Sequence, residues 1–226
     1  MKTKDFSVKF AIHDIKNYIG VAISSLQLAL VEHEGLEDNV DVAASIDALW
    51  AALNSAREVA DNEVDSSPDK ASLEYTLMTV NESFITNTKT FIDSLRKIYP
   101  TIDINDAYNL GEETKHITVN ADSFNQAIGN IIGNAVNASA TIIDIHVVMR
   151  AYCVVITIHD NGSGMSSEEV DKIMLSQFGD VKSYGIGTKC ILITAAEHDF
   201  PLTYTSVEGE GTTIRILVPY IIKEPE

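Results

Sequence analysis

Two helical seams fill the first sixty residues, and beyond residue 70 that periodicity is gone. Ile12, Ile19 and Leu26 step by seven, as do Ile15, Ala22 and Ala29, so one apolar stripe runs along residues 6–31. Residues 33–39, His-Glu-Gly-Leu-Glu-Asp-Asn, interrupt it with a glycine and acidic side chains. A second seam at Val42, Ile46, Leu49, Leu53, Ala56 and Ala60 then alternates steps of four and three. Two such helices joined by a short connection make an antiparallel hairpin. A lone hairpin leaves part of each seam in water, so the pattern predicts pairing with a second copy: a homodimeric four-helix bundle through residues 5–63.

The segment 65–70, Asp-Ser-Ser-Pro-Asp-Lys, is polar and turn-rich, and it divides the chain into a hairpin (1–64), a linker (65–72) and a second domain (73–226). Beyond it the spacing predicts short strands at 73–78, 101–108 and 116–119, with a helix over 80–99 stopped at Pro100. A helix over 121–137 carries Asp122 near its start, and paired strands follow at 142–150 and 152–159. A helix over 185–197 opens on glycines, and strands at 202–207 and 212–218 close the chain around Glu-Gly-Glu-Gly (208–211). The expected fold class is α+β: the helical hairpin, then an α/β sandwich with one mixed sheet and helices on one of its faces.

A net charge of −17 works against binding a nucleic-acid backbone or an anionic membrane surface, both of which take their affinity from cations. Neither a signal-type N-terminus nor an apolar run of membrane-spanning length is present, so a cytoplasmic location is expected. Cys153 and Cys190, the only cysteines, sit in apolar runs and read as inert thiols rather than a disulfide or metal pair.

His13, Asp14 and Asn17 fall within the run His-Asp-Ile-Lys-Asn, and in a helix His13 and Asn17 share one face. A carboxylate engaging one imidazole nitrogen leaves the other as a nucleophile, and Asp14 is placed to do this. The Asn17 amide could orient a water molecule. A solvent-facing histidine on an amphipathic helix is more often inert, so this group alone decides little.

Far downstream come parts suited to holding a nucleotide and its metal. Asn130 and Asn134 are four apart in Asn-Ile-Ile-Gly-Asn-Ala, and their side-chain carbonyls are hard oxygen donors suited to Mg²⁺. The run Asp160-Asn-Gly-Ser-Gly follows an apolar strand; its carboxylate could accept the exocyclic amine of adenine, while Gly162 and Gly164 permit a tight turn and a close backbone approach. Gly185 and Gly187 open a helix whose first N–H groups could meet phosphate. Each piece alone is also an ordinary turn or helix start. A chain this acidic repels a polyphosphate at long range, so such a site must draw on Mg²⁺, backbone N–H groups and a few lysines.

Taken in order, these residues resemble the catalytic core of a two-component sensor histidine kinase. The run at 13–17 is similar to the family's phosphoacceptor box; the resemblance implies that His13 takes the γ-phosphoryl group of ATP, Asp14 assists and Asn17 serves phosphatase activity. Residues 73–219 resemble the ATPase domain shared with gyrase-type ATPases and Hsp90. That likeness implies nucleotide binding by Asn130, Asn134, Asp160, Gly162, Gly164, Gly185 and Gly187. It assigns Mg²⁺ to Asn134 and Asn130, and support of Asp160 to Thr212. The chain departs from the family at Tyr18 (commonly Pro), Asn137 (commonly Lys or Arg) and Thr188 (commonly Leu). The ATP lid is short, over 176–184, with Phe178 and Lys182 as contacts and Lys182 as the substitute cation. Real but not tight binding of Mg·ATP is expected.

The implied partners are a second copy of the chain, a response-regulator receiver domain and a separate sensor or input protein. Two alternatives stay open. One is a histidine phosphotransferase that relays phosphate through His13 without ATP, and the other is a non-catalytic dimeric adaptor.

Overall fold

A computed structural model describes residues 75–176, 185–198 and 200–221, within a unit that begins at Leu73. The hairpin expected at 1–64 and the linker at 65–72 lie outside the described residues, and so do His13, Asp14, Asn17, Phe178 and Lys182.

The described elements are β1 (Thr76–Thr79), a π-helical turn (Val80–Phe84) running into α1 (Ile85–Ile98), β2 (Asp103–Asn109), β3 (His116–Val119), α2 (Ala121–Asn137), β4 (Ile142–Met149), β5 (Cys153–Asp160), α3 (Ser167–Ser176), α4 (Ile186–Glu197), β6 (Leu202–Val207) and β7 (Gly211–Pro219). Five strands form one mixed sheet in the order β2-β4-β5-β7-β6, with β2 parallel to β4 and the other neighbours antiparallel.

Two expectations need correction. The sheet is not single: β1 and β3 form a separate two-stranded antiparallel ribbon. One edge of β3 is taken by β1, and its His116 carbonyl accepts from Ile221 N at 2.8 Å. The segment after β7 therefore meets the side on which β3 could have joined the large sheet. The helix expected over 80–99 also starts differently, as a wider π turn that keeps Val80 and Phe84 both against the core.

α2 illustrates why these residues adopt these elements. Asn120 caps it, its side chain accepting from Ser123 N at 2.9 Å. Phe124, Ile128, Ile131, Ile132 and Ala135 then recur at helical spacing and are all buried. That stripe packs with Ile92 and Leu95 of α1 and Ile191 and Leu192 of α4 against one face of the sheet.

The strand register sorts this inner face into cross-strand rows. One row is Val147, Ile156, Ile216 and Leu202, and the next is Ile145, Ile158, Ile214 and Tyr204. The third row changes chemistry: Ile143, then Asp160, Thr212 and Ser206. The apolar core thus ends in three adjacent polar side chains at one margin of the sheet. On the outer face the pairs nearest the polar margin are polar, as where Asn105 Nδ2 donates to Asp144 Oδ1 at 3.0 Å, and an apolar row of Val148, Val155 and Leu217 lies farther along. Among the described residues no helix is long and apolar enough to cross a membrane.

Phe124 is 2 % exposed and packs on Phe84 and Phe200 at ring-centroid distances of 5.4 and 6.2 Å. Phe124→Ala should cost about 3–5 kcal/mol in denaturant unfolding. Asn105→Ala, on the outer face, should stay within about 0.5 kcal/mol. Burial pushes the Cys153 thiol up to about 12, against a smaller lowering influence of Arg150, whereas Cys190 is half-buried. A thiol reagent at neutral pH should therefore label Cys190 quickly and Cys153 only upon unfolding. Equal rates for both would contradict this account of the core.

Candidate functional site

β5 ends in the polar row at Asp160, which is 8 % exposed. Gly162 N donates to Asp160 Oδ1 at 2.8 Å, leaving Oδ2 without a hydrogen-bond partner among the described residues. A Cβ on Gly162 would stand 2.8 Å from Asp160 Oδ1 and 2.9 Å from both Cβ and O of Ala138. Only a glycine lets that amide reach the carboxylate. Asn161 turns away, its Oδ1 accepting from Thr141 N and Ile142 N at 2.8 and 3.0 Å. Ser163 N donates to Ala138 O at 2.8 Å, which pins the loop to the C-terminal end of α2.

The turn between β6 and β7 closes on this loop, backbone against backbone. Gly209 N donates to Ser163 O at 2.7 Å. Gly164 has φ 65°, and a Cβ there would lie 2.0 Å from Val207 O; Gly211 has φ 114°, and its Cβ would lie 1.9 Å from Asp160 O. Neither position admits a side chain. Ser206 Oγ sits at the junction, accepting from Met165 N at 2.8 Å, within 2.7 Å of Gly211 O and 2.9 Å from Thr212 Oγ1. Thr212 pairs directly with Asp160 across the strands.

A second group of residues assembles on the helices. Asn130 Nδ2 donates to Gln126 O at 2.9 Å, one turn back along α2, which turns its Oδ1 outward. A Cβ on Gly187 would be 3.3 Å from Asn134 Oδ1 and 3.4 Å from Asn130 Oδ1. Two amide oxygens from α2 therefore converge on the first turn of α4. Gly185 is the N-cap of that helix, so the positive end of its dipole faces the same place. Ala138, which follows α2 and sits one turn beyond Asn134, connects this group to the Asp160 loop.

The structure thus gathers Asn130, Asn134 and Gly187 in one group and Asp160, Gly162, Gly164 and Thr212 in another. Gly185 adjoins the first group, and among the described residues the space its Cβ would take is open. Three residues outside the sequence-derived set belong to the site: Ser206, Ala138 and Asn161. No local signal marks Ser206; only its pairing with Thr212 reveals it. Asn161 was visible within the Asp-Asn-Gly run, but its side chain holds the 141–142 backbone rather than facing the carboxylate. Among the described residues no cluster of three or more His, Cys, Asp or Glu could hold a metal. The oxygen donors suited to a hard cation are the two amides.

Residues 119–222 match the family model described as histidine kinase-, DNA gyrase B-, and HSP90-like ATPase. The ATP-binding domain of PrrB from Mycobacterium tuberculosis is similar in fold, with 19 % identity and a TM-score of 0.52, covering 66 % of this chain and 98 % of that one. Lower similarity is found to the mycobacterial sensor histidine kinase MprB (15 % identity, TM-score 0.49, 65 % of this chain and 98 % of that one). The catalytic domain of histidine kinase ThkA is comparable (21 % identity, TM-score 0.49, 65 % and 97 %). No curated protein matches the sequence at a significant level. The described unit is an α/β sandwich of this ATPase type.

Gly164→Ala and Gly211→Ala should each disrupt the site margin, with losses of more than about 2 kcal/mol in unfolding free energy. Gly185→Ala, with open space around it, should fall below about 1 kcal/mol. Equal effects at all three would sink the claim that the two loops meet without room for a Cβ.

Proposed function

We propose that this chain is a two-component histidine kinase that uses Mg·ATP to phosphorylate His13 and passes the phosphoryl group to an aspartate of a response-regulator receiver domain. The observation that carries this most is the convergence of Asn130 Oδ1 and Asn134 Oδ1 on Gly187, joined through Ala138 to a buried carboxylate with one oxygen unpaired among the described residues. Asp160 Oδ2 accepts the exocyclic amine of adenine. Thr212, beside it on β7, braces that end of the site. Gly185 and Gly187 allow the phosphates to approach the N–H groups that open α4.

Asn134 and Asn130 fit Mg²⁺ by their donor chemistry, since a hard cation takes neutral oxygens and completes its shell with phosphate and water. When bound it supplies charge neutralisation along the triphosphate. Lys182 contacts phosphate in place of the cation that the family carries where Asn137 stands. His13 forms its P–N bond as the bond from the γ-phosphorus to the β,γ-bridging oxygen breaks, and ADP leaves. Asp14 holds the imidazole tautomer and takes up its proton. Asn17 orients a water that takes the phosphoryl group in the phosphatase activity, releasing inorganic phosphate. Residues 5–63 form the homodimer, a separate sensor or input protein supplies the signal, and the protein works in the cytoplasm.

One observation favours a second reading, a histidine phosphotransferase. Asn137 is exposed in the last turn of α2 and carries no charge toward phosphate.

Incubation with γ-labelled ATP and Mg²⁺ should label the wild-type chain with an acid-labile, base-stable phosphate, and label neither His13→Ala nor Asp160→Ala. Label persisting on His13→Ala would overturn the kinase assignment. No label from ATP, but transfer onto His13 from a phosphorylated receiver domain, would establish the phosphotransferase instead.

A further inference from the structure

We propose that Ser206 is a positioning residue that sets base specificity, by fixing the Thr212 hydroxyl as an acceptor toward the bound base. The proposal rests on the nucleotide-site reading above and adds to it a residue that neither the motifs nor the family likeness singles out.

A serine hydroxyl carries one hydrogen and two acceptor lone pairs. Ser206 Oγ has three partners: Met165 N at 2.8 Å, Gly211 O at 2.7 Å and Thr212 Oγ1 at 2.9 Å. Met165 N–H can only donate, so it occupies one lone pair. Gly211 O can only accept, so it takes the hydrogen. What remains on Ser206 is a single lone pair, and Thr212 must fill it with its own hydrogen. The Thr212 hydroxyl therefore points its proton along the row toward β6, away from Asp160.

The consequence falls on the ligand. Asp160 Oδ2 is an acceptor without a partner among the described residues, and Thr212 beside it now presents only lone pairs. Toward a base in direct contact, this margin offers acceptors alone. The six-position amine of adenine brings donors and is satisfied. A six-position carbonyl, as in hypoxanthine, sets an acceptor against acceptors and is rejected. A site built to pair one polar group discriminates well against an analogue that leaves its partners unpaired. Removing the Ser206 hydroxyl frees the Thr212 proton to rotate and donate, which would admit the carbonyl.

The test measures equilibrium binding of ATP and ITP, which differ at that edge, to the full chain with Mg²⁺. The wild type should prefer ATP by about tenfold or more. Ser206→Ala should narrow the preference to about threefold, mainly by improving ITP. The double variant Ser206→Ala/Thr212→Val has no hydroxyl left to donate and should lose that gain in ITP binding. If Ser206→Ala does not fold, Thr212→Val alone still decides. Loss of a pure acceptor weakens ATP more than ITP and narrows the ratio, whereas loss of a donor would widen it. Equal weakening of both nucleotides in Ser206→Ala, or a widened ratio in Thr212→Val, overturns the proposal and leaves the nucleotide site standing. A wild type that binds neither nucleotide overturns the site and this inference together.

Discussion

The contact on which the rest of the site depends is made by backbone alone. The loop after β5 and the turn between β6 and β7 approach so closely that a Cβ on Gly164 or Gly211 would lie 2.0 or 1.9 Å from the facing carbonyl oxygen. Sheet register brings them there. β7 pairs with β5 from Cys153↔Pro219 to Asp160↔Thr212, and with β6 from Leu202↔Ile216 to Val207↔Gly211. Three strands thus reach one margin together, and their connections must share the little space above it. A side chain at either glycine would push the connections apart and unseat Asp160, Thr212 and Ser206, all carried on the strand ends.

That margin is also where the core changes character. Buried polar groups are tolerated only with partners, and here each has one supplied by the closed loops. Gly162 N serves Asp160 Oδ1, and Met165 N and Gly211 O serve Ser206, which in turn serves Thr212. Asp160 Oδ2 is the exception. Among the described residues it has no hydrogen-bond partner, in a residue only 8 % exposed. The same closure that preserves the fold therefore leaves this oxygen open, which is the feature on which the proposed base recognition rests.

Much of this was legible in the sequence, for reasons that differ residue by residue. The bounds of α2 were legible at 121–137 with Asp122 near the start, and the structure adds the cap at Asn120 and the buried stripe from Phe124 to Ala135. Asn130 and Asn134 lie on one helical face by spacing alone, and Asp160 stands at a strand end by the apolar run before it. β1 and β3 were recognisable as strands, but not their separation from the large sheet, because choice of partner depends on which edges are already occupied. Ser206 was illegible for a similar reason. In an alternating strand a serine reads as ordinary, and only register places it beside Thr212. The π turn at Val80–Phe84 leaves no mark distinct from a helix start.

The amide pair answers a difficulty posed by charge. A chain with 33 acidic and 16 basic residues repels a polyphosphate, and carboxylates at positions 130 and 134 would add two more negative charges beside the phosphates. They would also hold a divalent cation more tightly, but would neutralise it before the phosphates could. Amide oxygens avoid both effects. In the proposed Mg²⁺ site they would orient the ion through dipoles and leave its charge for the ligand, while the N-terminus of α4 adds fractional positive charge from Gly187's side. Asn130 is held by its own helix, its Nδ2 bond to Gln126 O keeping the donor turned back along α2 and the amide oxygen outward. The attraction proposed for a nucleotide here would thus be built from oriented neutral groups and act over a few ångströms, where the net charge of the chain no longer dominates.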